Sequence, residues 1–185
     1  MKKLSMLEIP KNASHFCLMV ADASLHIESK EKQITVLVLR KDVYSRFWSA
    51  VKTAHPDLTF ENWDGENWKQ AVDVIKCIDD CVSDINNGII DFHFKPQTDF
   101  FKDVKDFDYV LFLEDNLSDE IVKISNENEI EFIENFTPAT PHGHVIPYKS
   151  PSSKDVEAIE YIKTLGIVEE LHSVDISLIA KLIKA

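Results

Sequence analysis

Three short, unbroken apolar runs constrain this chain more than any other feature: Phe16 to Ala21 (FCLMVA), Ile34 to Leu39 (ITVLVL) and Tyr109 to Leu113 (YVLFL). Crossing a bilayer takes roughly 20 apolar residues, so none of them can span a membrane. β-Branched or aromatic residues are frequent in them and polar alternation is absent. Such runs read as strands covered on both faces, the situation of a sheet with helices on each side. Two weaker strand patterns accompany them. Ile89 to Phe94 alternates, with Ile90, Phe92 and Phe94 on one face and Asp91 and His93 on the other, which suits a strand with one face in water. Ile130 to Glu134 is flanked by acids, as befits a sheet edge where charge discourages further pairing.

Between these runs the spacing turns helical. From Asp42 a helix carries Val43, Phe47, Ala50 and Val51 on one stripe and must end near His55, because Pro56 disfavours helical geometry in the residue before it. A second helix has Asp64 as N-cap and Glu66 in its first turn. It repeats Ala71, Val74, Ile75, Ile78, Val82 and Ile85 up to Asn87-Gly88. A short helix near Asp99 to Lys105 and another over Ser118 to Glu127 follow. Ser152 with Asp155 gives a capping-box variant for a helix ended by Gly166, and a last helix runs from Ser173 to Lys184. Residues 136–151 hold four prolines and form a long irregular loop. The expected fold is α/β, with α+β as the alternative: one domain over residues 1–185, a central mixed β-sheet of about five strands flanked by helices, and two C-terminal helices. A chain of 185 residues buries roughly 70% of its unfolded surface and can sustain such a core.

Charge then narrows function. The chain has 20 basic and 32 acidic residues, a formal net charge of −12. That is the wrong sign for a nucleic-acid binder, whose affinity comes largely from neutralising phosphates. The four glycines, Gly65, Gly88, Gly143 and Gly166, lie too far apart for a dinucleotide fingerprint or a Walker loop. Between Asp84 and Asn135 fourteen acids face four lysines, a net of −10 that leaves only −2 for the remainder. Because the strands of that segment bury their apolar faces, its acids must project from strand ends and connecting turns, and one negative surface is expected. Exposed acid pairs repel by only a few tenths to about 1 kcal/mol, so the surface is tolerable even as a simple solvated face. Its sharper use is to meet a positively charged protein, raising the association rate and rejecting other partners.

The candidate partner-binding residues are Asp91 and His93, then Asp99, Phe100, Asp103 and Asp106, then Glu114, Asp115, Asp119 and Glu120. Phe100 stands beside Phe101, and two adjacent aromatics on a short helix cannot both point into the core, which leaves one for contact. Glu114-Asp115-Asn116 with Asp119 and Glu120 offers oxygen ligands for calcium but lacks the glycine and twelve-residue frame of an EF-hand. His142-Gly143-His144 in the proline-rich loop has metal-ligand spacing, yet zinc sites need at least three protein ligands and no third is placed by a recognisable spacing. Asp91 could orient His93 for acid–base chemistry, but no Ser, Cys or Lys in a recognisable motif supplies a nucleophile. Cys77 and Cys81, four apart on a helix, and Cys17 in an apolar run read as small buried hydrophobes. Trp48, Trp63 and Trp68 read first as core residues, with Trp63 the candidate for an exposed anchor.

An odd number of cysteines in a self-sufficient chain, and a start without a 7–15-residue apolar segment, lead to the expectation of a cytoplasmic protein with reduced thiols. The resulting functional expectation is an acidic protein-binding inhibitor of a basic partner, in the manner of an immunity or antitoxin protein that blocks a nuclease toxin by occluding its cationic groove. Neither nucleic acid, nor a membrane, nor a cofactor is an expected partner. The alternative is a metal-dependent or His/Asp-based enzyme that uses the histidines of the proline-rich loop.

Overall fold

The computed structural model describes residues 3–7, 9, 17, 20–22, 24, 33–55, 58, 73–104, 106–132 and 153–184. Strands β1 (Lys3–Leu7), β2 (Gln33–Leu39) and β3 (Tyr109–Phe112) form one sheet in the order β1-β2-β3. Both pairings are parallel, with Leu37 opposite Leu7 on one side and Val110 on the other. Helices are α1 (Val43–Ala54), α2 (Val74–Asn86), α3 (Leu117–Asn128), α4 (Ser153–Thr164), α5 (Ile167–Leu171) and α6 (Ser173–Leu182), with a 3-10 turn at Gln97–Phe100. The architecture is mixed α/β. The chain divides into two compact units, Met1–Lys41 with Asp99–Lys149, and Asp42–Thr98 with Ser150–Ala185.

The first unit holds the sheet. Val36, Leu37, Val38 and Leu39 are all buried, so β2 is covered on both faces as its unbroken apolar run requires. On one face Leu4, Met6, Ile34, Val36, Val38 and Leu111 meet Leu117, Ile121 and Ile124 of α3, with Cys17, Val20 and Ile130 completing the core. Among the described residues the sheet has three parallel strands, where a mixed sheet of about five was expected. Where a strand was expected over Phe16 to Ala21, the described residues are helical: Cys17 and residues 20–22, with Cys17 and Val20 buried three residues apart, the spacing of one helix face. A short apolar run cannot distinguish a buried strand from a buried helix face. Parallel pairing of β1 with β2 demands a crossover, and these residues lie in it. Strand β1, to which no element was assigned from sequence, buries Leu4 and Met6 in alternation over only five residues. At the expected edge strand there is a single antiparallel bridge between Ser24 and Phe132.

The second unit is helical. Asp42 caps α1 by accepting hydrogen bonds from the Tyr44 and Ser45 N–H groups, both at 3.1 Å, and the helix closes at His55 ahead of Pro56. α1 packs against α2, α4 and α5. Phe47 and Trp48 are buried, and the Phe47 ring meets Phe94 edge to face at 5.1 Å. Helix α2 buries Ile78, Cys81 and Ile85 and is capped by Asp73, whose side chain accepts from the Lys76 N–H. The sequence-based start at Asp64, with Trp63 and Trp68, lies outside the described residues. The expected strand over Ile89 to Phe94 is irregular at 89–91 and a turn at 92–94. There the Asp91 carboxylate accepts the His93 N–H at 2.9 Å, and such a local bond draws the backbone away from a ladder. The expected helix near Asp99 is the 3-10 turn, followed by turn residues 101–103. The expected capping box of Ser152 with Asp155 has its Ser152 half outside the described residues; Asp155 itself is buried and accepts from Trp48 Nε1 at 2.6 Å and Lys52 Nζ at 3.2 Å. Among the described residues no helix is long and apolar enough to cross a membrane.

The Asp42 cap is a direct test of the α1 boundary. Asp42→Ala is expected to lower stability by about 1 kcal/mol in urea unfolding, the ordinary cost of losing a carboxylate N-cap.

Candidate functional site

Parallel strands begin at one edge of a sheet and end at the other, so charged residues before and after β3 cannot share a location. Glu114 and Asp115 follow its C-terminal end. There Glu114 Oε2 accepts the Lys41 N–H at 3.0 Å, and Asp115 Oδ1 pairs with Lys41 Nζ at 2.6 Å. The Lys41 ammonium also lies 4.7 Å from the centre of the Phe112 ring. Asp119 and Glu120 stand in the first turn of α3, where the helix dipole favours them, and Asp119 accepts from the Asn116 side-chain amide. Carboxylates at this end therefore close strand ends and start a helix.

The other end is built differently. Asp108 completes the β2–β3 ladder by exchanging hydrogen bonds with Thr35, its own N–H going to the Thr35 carbonyl at 3.0 Å and its carboxylate accepting the Thr35 N–H at 2.9 Å. α3 returns to this end, since the Tyr109 hydroxyl meets Asn128 Nδ2 at 2.9 Å and Glu127 at 3.5 Å. Asp99, Asp103 and Asp106 precede it, all exposed and without a hydrogen bond or ion pair among the described residues. Phe101 packs edge to face on Phe107 at 5.7 Å, which braces the intervening turn, and Phe100 beside it is half-buried. β3 has four residues at roughly 3.3 Å each, so about 13 Å of strand separates the two groups of acids.

Asp91 and His93 belong to the second unit. They are neighbours in a turn, not residues on one face of a strand: Asp91 Oδ1 takes the His93 N–H and lies 2.6 Å from Nδ1 of the same residue. Phe92 stacks on the imidazole at 3.8 Å. The carboxylate thus holds the ring by a two-residue chelate, a local fold device. His142 and His144, with the whole loop 136–151, lie outside the described residues. Among the described residues no group of three or more His, Cys, Asp or Glu side chains could hold a metal ion.

Sequence reasoning missed a buried histidine–aspartate pair. His172 and Asp175 are 0% and 1% exposed, and His172 Nδ1 lies 3.1 Å from Asp175 Oδ2. The same carboxylate accepts the Gln97 N–H at 2.7 Å and the Thr98 N–H at 2.9 Å, fastening the 3-10 turn to α6. Burial alone would raise the Asp175 pKa. The hydrogen bonds from His172, from the Thr98 and Gln97 N–H groups and from the Thr98 hydroxyl outweigh it and hold the carboxyl below its ordinary value. His172 Nε2 is buried with no hydrogen-bond partner. The available signal was an aspartate set between Val174 and Ile176 in an apolar helix, with a histidine three residues before it. Beside this pair Thr98, Ser173, Val174, Ser177, Leu178 and Lys181 line an open groove of about 390 Å³. His172 does not line it.

Cys17 and Cys81 are buried and Cys77 is half-buried, as small hydrophobes. Burial pushes the Cys81 thiol up to about 12, with Asp84, Cys77, Asp80 and Asp91 adding to the rise. No protein-family model matches the chain, and neither a curated protein nor a solved structure matches it.

Two outcomes follow from the titrating groups. Alkylation of the native protein near pH 8 is expected to leave Cys81 unmodified while the denatured chain reacts at all three thiols, because only the thiolate attacks. Asp175→Asn is expected to cost about 1.5–3 kcal/mol at neutral pH through its charge-assisted bonds. The folded pKa of Asp175 lies below the unfolded value of about 3.9, so this stabilisation is complete above that value and is lost as pH falls through the folded one. Urea unfolding of wild type and Asp175→Asn should therefore show a gap that narrows on acidification. A constant gap would mean that Asp175 is not ionised in the fold.

Proposed function

We propose that this protein binds a cationic protein through exposed carboxylates and inhibits it by occupying the groove that would otherwise take phosphates, the mode of an immunity or antitoxin protein facing a nuclease. The observation that supports this reading is the state of Asp99, Asp103 and Asp106: exposed and free of counter-ions among the described residues, with Asp103 and Asp106 in the segment braced by Phe101 against Phe107. Glu114, Asp115 and Asp119 have intramolecular partners and contribute less. Charge of this kind acts on association rate and partner choice more than on raw affinity, which fits an inhibitor that must capture its target quickly. Phe100 supplies apolar area beside these acids. The enzymatic alternative draws no support from Asp91 and His93, whose interaction is consumed in shaping a turn.

The test is binding to a basic nuclease domain at about 50 and 300 mM salt, where screening lengths differ more than twofold. Association is expected to slow by an order of magnitude or more at the higher salt. The triple variant Asp99→Asn/Asp103→Asn/Asp106→Asn should bind several-fold more slowly with stability changed by no more than about 0.5 kcal/mol, because the three side chains are exposed. An unchanged rate in the triple variant would exclude these carboxylates from the interface.

A further inference from the structure

Ile89, Ile90 and Phe92 are 64%, 38% and 49% exposed, three large apolar side chains within four residues of one turn. Single exposed hydrophobes are ordinary, but a contiguous apolar group in a fixed conformation marks a contact surface. This turn is fixed on both sides. It begins after Gly88, whose φ of 80° suits glycine, with the Gly88 N–H bonded to the Ile85 carbonyl and the Ile89 N–H to the Asp84 carbonyl, both at 2.9 Å. Its middle is held by the Asp91–His93 chelate and by Phe92 stacking on the imidazole. Its exit is anchored by buried Phe94 against Phe47 and by Arg46 Nη1 donating to the Lys95 carbonyl at 2.9 Å. Side chains so held have already lost most of the freedom that binding would take from them.

The surroundings are acidic. Residues 73–95 hold five aspartates against two lysines, and one of those lysines, Lys76, is paired with Asp80 at 2.6 Å. Asp80 and Asp84 lie in the C-terminal half of α2, the Asp84 carbonyl taking the Ile89 N–H, and Asp91 lies in the turn segment itself. Apolar side chains at the centre with carboxylates around them have the anatomy of an interface hot spot and its polar rim.

We propose that the turn Ile89–Phe92 is an apolar anchor for a partner protein whose surface offers a hydrophobic pocket rimmed by lysine or arginine. The inference rests on the reading that the partner is cationic and adds what that reading lacks, a source of buried contact in the second unit. It also gives Asp91 and His93 a role: their chelate fixes the backbone on either side of Phe92.

The experiment is an NMR titration of the full chain with three peptides of about 14 residues, long enough to form a helix on binding. One alternates leucine and lysine along an amphipathic pattern, one replaces lysine by glutamate, and one replaces leucine by serine while keeping the lysines. The leucine–lysine peptide is expected to shift the amides of residues 88–95. It should bind about tenfold more weakly to the I89S/F92S variant, whose exposed substitutions leave the spectrum outside residues 88–95 unchanged. The serine–lysine peptide should bind at least about tenfold more weakly than the leucine–lysine one. Equal binding of the two lysine peptides, or no loss in I89S/F92S, overturns the anchor while leaving the cationic reading in place. Failure of both lysine peptides to bind overturns that reading as well. Binding of the leucine–glutamate peptide at the turn, or a dimer in sedimentation that I89S/F92S dissolves, overturns the basic-rimmed partner in favour of an uncharged pocket or a second copy.

Discussion

Strand β2 hydrogen-bonds in parallel to a neighbour on each side, and its residues from Val36 to Leu39 are covered on both faces. This pairing fixes much of what the first unit can do. A sheet covered on its faces has no open face to offer, so anything functional must sit at the strand ends or in the segments that join them. Parallel direction separates the two ends, and the acids on either side of β3 are divided accordingly. One group is spent on Lys41 and on the start of α3. The other, from Asp99 to Asp106, is left facing water.

The second unit uses carboxylates in a different way. Asp155 sits beneath Trp48 and Lys52, and Asp175 gathers His172, Gln97 and Thr98. A buried charge survives only when its hydrogen bonds replace the water it lost, and both aspartates meet that condition. Each joins segments far apart in sequence: Asp155 ties α4 to α1, and Asp175 ties α6 to the 3-10 turn. In this chain, therefore, the same residue type locks helices together where it is buried and remains available for binding where it is exposed. Net charge alone cannot separate the two roles.

The sequence disclosed those elements whose signals are local. The Asp42 cap, the stripe through Phe47 and Val51, the run Ile34 to Leu39 and the helix after Asn116 can all be read from neighbouring residues, and the structure has them. The errors arise where a distant partner decides the outcome. Cys17 and residues 20–22 are helical in the crossover that parallel β1–β2 pairing requires, and IIDFHF alternates like a strand but has no neighbouring strand to pair with among the described residues, so its polar groups are met locally, as by the Asp91 side chain. The acidic segment was visible as composition, but its division depended on strand direction, which charge does not encode. Asp175 escaped notice because an aspartate in an apolar helix shows its purpose only once Gln97 and Thr98 are beside it.

The central claim is the proposal that Asp99, Asp103 and Asp106, without counter-ions among the described residues, and separately the apolar turn of the second unit, meet a basic protein. Amide hydrogen exchange of the chain, alone and saturated with a basic nuclease domain that it captures, tests it most directly. Protection should rise in residues 99–107 and 88–95 and stay unchanged along α3. Protection confined to α3 or to the groove at Ser173 and Ser177, with residues 99–107 exchanging as in the free protein, would contradict it.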